Sequence, residues 1–187
     1  MQEPLPNLQH AYFATPQRLR LLTPRASHAP RFLLLFGSLR GNSYSRMMTE
    51  EAARLLSAMG GEAKIFDPTG MPLLEEVEVD RLKVLELHMH ARWAEGMVCC
   101  SPEIHGSLSG LMKLQLDWLP TTDDGDLSMH NKTLALMQVS GGQQSFNAVN
   151  QMRLIGRSLR MVTVPAQVSI ARAGREFDEG GRMGPTA

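Results

Sequence analysis

An apolar run, Phe32-Leu33-Leu34-Leu35-Phe36, passes directly into Gly37-Ser38-Leu39-Arg40-Gly41-Asn42-Ser43-Tyr44-Ser45-Arg46. A helical pattern follows in which Met48, Ala52, Leu55, Leu56 and Met59 share one face. A strand that is apolar at every position is buried on both faces, as parallel strands are. The junction therefore calls for a sheet with helices on both sides. It also constrains the ligand. Backbone N–H groups at a helix N-terminus lack intrahelical partners, and the helix dipole favours an anion there. Ser38, Ser43, Tyr44 and Ser45 add hydroxyl donors, and Arg40 adds a charged fork. The loop has neither the Gly-Lys-Ser/Thr of a nucleoside-triphosphate loop nor the Gly-x-Gly-x-x-Gly of a dinucleotide turn. A hydroxyl-dense loop with an arginine near its start suits the terminal phosphate of a mononucleotide such as FMN. The plainer alternative is a serine-rich turn with ordinary helix capping.

The remaining chain alternates strand-like and helix-like segments. The first helix spans Ser45–Met59 and stops at Gly60-Gly61. A second strand, Glu62–Phe66, ends at Asp67-Pro68. Asp80 is placed to cap a helix with an apolar line of Leu82, Leu85, Met89 and Trp93. Met97–Cys100 reads as the third strand, and Leu108, Met112, Leu116 and Leu119 as the next helix face. Thr133–Val139 is the fourth strand. Ala148, Met152, Ile155 and Leu159 mark a further helix, and Met161–Val164 the fifth strand. Strand–helix alternation with right-handed crossovers predicts a doubly wound α/β fold with a five-stranded parallel sheet, for which 2-1-3-4-5 is one strand order. In that order the loops Gly37–Ser45, Ser101–Gly110 and Ser140–Ser145 converge on one crevice. Pro102 stiffens the second loop, while Gly106, Gly141 and Gly142 let backbone approach a flat ligand.

The 187 residues suffice for one domain with a substantial core. Residues 1–30 hold Pro4, Pro6, Pro16, Pro24 and Pro30 and read as an extended arm, leaving 31–187 as the ligand-binding domain. The arm is poor in acids and carries Arg18, Arg20 and Arg25, which leaves a transit peptide as a second reading of it. Nineteen acidic residues balance nineteen basic ones, which argues against a nucleic-acid binder. No apolar run reaches the ~20 residues of a membrane span, so no membrane partner is expected. Cys99 and Cys100 are strand neighbours facing opposite ways, so they read as buried free thiols in a cytoplasmic protein and not as a disulfide or an arsenic site. The Cys-x5-Arg loop of a phosphatase is excluded because Gly106 stands where the arginine would be. His88 and His90, two apart on a helix, read as surface residues and not metal ligands. Met48, Met59, Met89, Met112, Met137 and Met152 read as core filler. Glu75, Glu76, Glu78 and Asp80 read as a solvated loop before a helix.

Longer motifs carry a family resemblance. Gly37-Ser38-Leu39-Arg40 with Ser43-Tyr44-Ser45-Arg46 resembles the phosphate loop of the NADPH-dependent FMN reductase family. Ser101-Pro102-Glu103, His105-Gly106, Gly110, Lys113 and Asp117-Trp118 resemble its second signature. Met137 to Gly142, Gln144 to Gln151, Glu176 to Glu179 and Gly181-Arg182-Met183 are similar to its arsenical-resistance branch, the ArsH flavoproteins. The resemblance covers about residues 31–183. It implies a flavodoxin-like fold with the strand order 2-1-3-4-5, bound FMN, NADPH as hydride donor, a homotetramer, and acceptors such as quinones, azo dyes or oxygen. The branch is tied to oxidation of trivalent organoarsenicals. Matching positions place the FMN phosphate on Ser38, Arg40, Ser43 and Ser45, beside Tyr44. They place the ring against Ser101, Pro102, Glu103, His105 and Gly106, and against Ser140, Gly141, Gly142 and Gln143. No side chain need act as a catalytic nucleophile; His105 is a candidate proton source. Two departures stand out. Ile104 occupies a position that is basic in the branch. The chain also reaches Gly184-Pro185-Thr186-Ala187 where the family continues into a last helix, so that helix is expected to be missing, through truncation or with a neighbouring subunit in its place. Two readings of other classes remain beside the enzyme: a flavodoxin-type electron carrier, and a flavin- or quinone-responsive regulatory protein without NADPH turnover.

Overall fold

A computed structural model describes residues 27–74, 81–121 and 125–184. Residues 1–26 of the expected arm, the Asp80 cap and the acidic run from Glu75 to Asp80 lie outside the described residues. The elements in chain order are β1 (Arg31–Phe36), α1 (Tyr44–Ala58), β2 (Glu62–Ile65), α2 (Leu82–Trp93), β3 (Gly96–Ile104), β4 (Ser107–Leu108), α3 (Gly110–Asp117), β5 (Thr133–Val139), α4 (Asn147–Ser158) and β6 (Val162–Ile170). The parallel path runs β2-β1-β3-β5-β6, with β4 paired antiparallel to β3 beside it. Counting only the long strands gives the expected order 2-1-3-4-5. The sixth, short strand was not anticipated. No α-helix follows β6 among the described residues; a 3-10 turn at Ala173–Arg175 and an isolated bridge between Phe177 and Met183 stand there instead.

The apolar strand runs are explained by two cores. Leu33 and Leu35 of β1 face a cluster with Leu87 and Ala91 of α2, Met112 and Leu116 of α3, and Val149 and Met152 of α4. Leu34 faces the opposite cluster with Met48 of α1, Val98, Met137 and the C-terminal Phe177 and Met183. Cys99 belongs to the first core and Cys100 to the second, and both thiols are free. Burial pushes Cys99 up to about 12 and Cys100 further still. Neither is a thiolate at neutral pH.

Helix α1 ends as its glycines require. Gly60 takes φ 87°, its N–H bonds Ser57 O at 3.0 Å, and Gly61 N–H bonds Leu56 O at 2.9 Å. Several expectations need correction. Helix α2 buries Val84, Leu87 and Ala91, whereas Leu82, Leu85 and Met89 are exposed. The helix is apolar around much of its circumference, so two faces had the right spacing. The small Val84 and Ala91 form the side that lies close to the sheet. Met59 is also exposed, one residue past the end of α1. His88 and His90 are half-buried, not surface residues. His88 Nε2 meets Trp118 O at 2.7 Å, and His90 packs edge-on against Phe66. Strand β6 runs on past Val164, the expected end, through Pro165 to Ile170. Thr163 pairs with Leu134, but Leu136 pairs with Gln167, where a regular ladder would place Pro165. The irregularity absorbs the proline, and Arg153 of α4 donates to Val164 O at 3.1 Å.

Candidate flavin-binding cleft

The C-terminal ends of β1, β3 and β5 open into one solvent-facing cleft of about 220 Å³. The first wall is the β1–α1 loop: Ser38, Arg40, Asn42, Ser43, Tyr44 and Ser45 all line it. Ser43 caps α1, its Oγ accepting Arg46 N–H at 3.1 Å and lying 3.1 Å from Ser45 Oγ. Both serines are buried. Ser38 Oγ accepts Arg40 N–H at 3.3 Å, and the Arg40 side chain is exposed. The first turn of α1 has no acidic residue. Hydroxyls, an open helix N-terminus and one guanidinium, with no carboxylate among them, form a donor set that fits a phosphate.

The second wall was expected to be a loop from Ser101 to Gly110. It is instead the continuation of β3 to Ile104, a two-residue turn, and β4. His105 at φ 50° and Gly106 at φ 74° make the turn; two successive positive φ angles match the twist of a two-residue hairpin. Pro102, Glu103 and Ile104 line the cleft, while His105 and Gly106 sit at the exposed tip and do not. Ser101 is buried below it. Its Oγ accepts Ser109 N–H at 2.9 Å and donates to Pro102 O at 2.9 Å.

The third wall comes from Val139, Ser140 and Gly141 at the end of β5, with Ala173 beyond β6. Gly142 and Gln143 lie outside the lining. Gly142 N–H bonds Ser140 Oγ at 3.2 Å, and that hydroxyl bonds Gln143 O at 3.2 Å. Arg172 N–H bonds Gly142 O, and Ala173 N–H bonds Ser140 O, each at 2.9 Å. The segment after β6 then returns to α1. Phe177 stacks on Tyr44 with ring centroids 5.8 Å apart, and Arg182 Nε donates to Glu51 at 3.0 Å. Sequence reasoning left Asn42, Val139 and Ala173 unassigned. Asn42 lies inside the phosphate-loop motif and was within reach of it. Ala173 enters only through a left-handed residue, Arg172 at φ 49°, which no local signal announces.

The comparisons agree with this geometry. The sequence profile of the NADPH-dependent FMN reductase family matches residues 30–175. The chain belongs to that family. An NADPH-dependent FMN reductase ArsH of Rhizobium meliloti is 50% identical over 184 residues, 98% of this chain and 76% of the relative. One from Acidithiobacillus ferrooxidans is 51% identical over 185 residues, 98% of this chain and 78% of the relative. In fold, the chain is similar to FerB, a flavoenzyme NAD(P)H:(acceptor) oxidoreductase of Paracoccus denitrificans, with TM-score 0.67 and 17% identity over 83% of this chain and 86% of that one. As an FMN reductase the chain is an oxidoreductase that uses FMN and NADPH. No described helix is long and apolar enough to cross a membrane, and no metal-binding cluster of His, Cys, Asp or Glu occurs among the described residues.

Proposed function

We propose that this chain holds FMN with its phosphate on Ser38, Arg40, Ser43 and Ser45, beside Tyr44, and its ring between Pro102–Ile104 and Val139–Gly141. The observation that carries this is the convergence of three strand ends on one cleft that has an anion cradle at the α1 end only. Bound FMN supplies hydride acceptance from NADPH and release to a second substrate. The protein's part is orientation and charge. Ser43 and Ser45 fix the phosphate end through buried hydroxyls. Pro102 and Val139 offer apolar surface to a flat ring, and Ser140 and Gly141 bring backbone close to it. The walls leave the cleft open to solvent, which suits small acceptors of several kinds: quinones, azo compounds and oxygen. Oxidation of trivalent organoarsenicals, a homotetramer and a cytoplasmic location complete the reading; all three rest on the ArsH likeness. Ser101, His105, Gly106, Gly142 and Gln143 act through the backbone they shape around the ring.

The test is the visible spectrum of the purified protein after FMN addition and desalting, then anaerobic NADPH in the same cuvette. A retained flavin band that bleaches supports the reductase, and turnover with a quinone, an azo dye and a trivalent organoarsenical then ranks acceptors. Retained flavin that NADPH leaves oxidised overturns it in favour of an electron carrier or sensor.

A further inference from the structure

Gln138 lies in β5 one residue before the cleft wall, is fully buried, and makes three hydrogen bonds to three parts of the chain. Its Oε1 accepts Val149 N–H at 3.0 Å. Its Nε2 donates to Ser145 O at 2.8 Å and to Glu103 Oε2 at 2.7 Å. The amide orientation follows from the partners. A backbone N–H can only donate, so Oε1 must face Val149, and both Nε2 hydrogens are left for the two oxygens. The first of these bonds is a helix cap supplied from a neighbouring strand. Val149 is in the first turn of α4, and Phe146 at the N-cap position offers no side-chain cap. The third bond is different in kind. It spends a fully buried donor on a carboxylate that lines the cleft.

We infer that Gln138 is a positioning residue: it holds the Glu103 carboxylate in place on the cleft wall, and the held charge lowers the reduction potential of the flavin. The inference rests on FMN occupying the cleft as proposed above. Reduction by two electrons and one proton leaves a flavin with one more negative charge than before. A fixed anion nearby disfavours that form, and it does so more strongly when it cannot swing into water. Glu103 without its amide partner is a side chain of three rotatable bonds beside open solvent. The result is a more reducing flavin, suited to passing electrons on.

The test is the two-electron midpoint potential of the FMN-loaded protein, measured anaerobically against reference dyes, with FMN dissociation constants and apoprotein melting temperatures alongside. Glu103→Gln keeps an acceptor for Gln138 but removes the charge; its potential rises by about tenfold in the reduction equilibrium, ~30 mV for a two-electron couple. Gln138→Met rises by a smaller amount in the same direction, and the double variant matches Glu103→Gln alone. Should Gln138→Met fail to fold for want of the α4 cap, Glu103→Asp carries the test. It keeps the charge and both other Gln138 bonds but draws the carboxylate back from the amide, and its potential also rises. A purely structural Gln138 would lower the melting temperature and leave the potentials of Gln138→Met and Glu103→Asp at the wild-type value, whatever Glu103→Gln does, which overturns the inference while the FMN reading stands. Wild-type protein that emerges from desalting without flavin overturns both.

Discussion

The β1–α1 loop takes its shape from its own atoms. Ser43 caps the helix three residues on, Ser45 sits against Ser43, and Ser38 binds Arg40 N–H two residues away. The β3–β4 hairpin across the cleft is held mainly from elsewhere. Gln151 of α4 accepts Ser107 Oγ–H at 2.7 Å and donates to Gly106 O at 3.2 Å, and Gln138 of β5 grips Glu103. The two walls also meet. Ser109 Oγ–H donates to Gly37 O at 2.7 Å, and Gln115 Nε2–H to Phe36 O at 2.9 Å, so α3 and its cap close off the end of β1. A locally held wall can be preorganised for one demanding ligand group. A wall held from a distance reports on the packing of the whole sheet. The first should fail residue by residue, the second through its supports.

The largest effect is expected where the walls touch. A Cβ on Gly37 would lie 2.6 Å from Ser109 Oγ, 2.9 Å from Pro102 Cδ and 3.1 Å from Met112 Cβ. Gly37→Ala should cost about 1–3 kcal/mol of stability in urea unfolding and abolish flavin retention. Unchanged stability would mean the two walls are not in contact. Arg40→Ala separates function from fold on the local side. The side chain is exposed, so stability should stay within ~0.5 kcal/mol, while FMN binding weakens by about 1–3 kcal/mol through loss of a charge-assisted contact. An unchanged flavin dissociation constant would remove Arg40 from the phosphate site. Ser43→Ala does both at once: about 1 kcal/mol of helix capping is lost, and the phosphate end loses a buried hydroxyl.

These contrasts also explain what the sequence made legible. Helix caps, glycine stops and two-sided strands are local signals, and β1, α1, β5 and the strand order followed from them. The hairpin did not. Its turn is His-Gly instead of Asn-Gly, and β4 is only two residues long, too short for a periodicity. Gln138 read as one letter of a motif because its three partners lie 35, 7 and 11 residues away. The buried face of α2 was misread because the helix is apolar on two sides, and only packing against β1 chooses between them. The irregular pairing at Pro165 was missed because a proline ends a regular ladder but not an edge strand supported by Arg153.

The distant supports yield smaller, more selective effects. Gln151→Ala should cost about 0.5–1.5 kcal/mol. Hydrogen exchange should quicken at His105–Leu108 and stay unchanged at Ser38–Arg46. Equal quickening in both segments would erase the distinction between the walls.

At neutral pH the smallest change concerns a distant support of the local wall, the Arg182–Glu51 contact that brings the C-terminal segment onto α1. Burial alone pushes the Glu51 carboxyl up, but hydrogen bonds and charge from Arg182 and Arg54 outweigh it, and its pKa sits below the ordinary 4.5. A lowered folded pKa gives stability that is complete above the unfolded value and lost as pH falls through the folded one. The gap in stability between wild type and Glu51→Gln should therefore be flat from pH 6 to 8 and shrink only on acidification below 4.5. A gap that widened in acid would mean that the carboxylate is not the group holding Arg182. The Tyr44–Phe177 stack would then be the contact that keeps the segment in place, and Phe177→Ala, not acid, would release it from the phosphate wall.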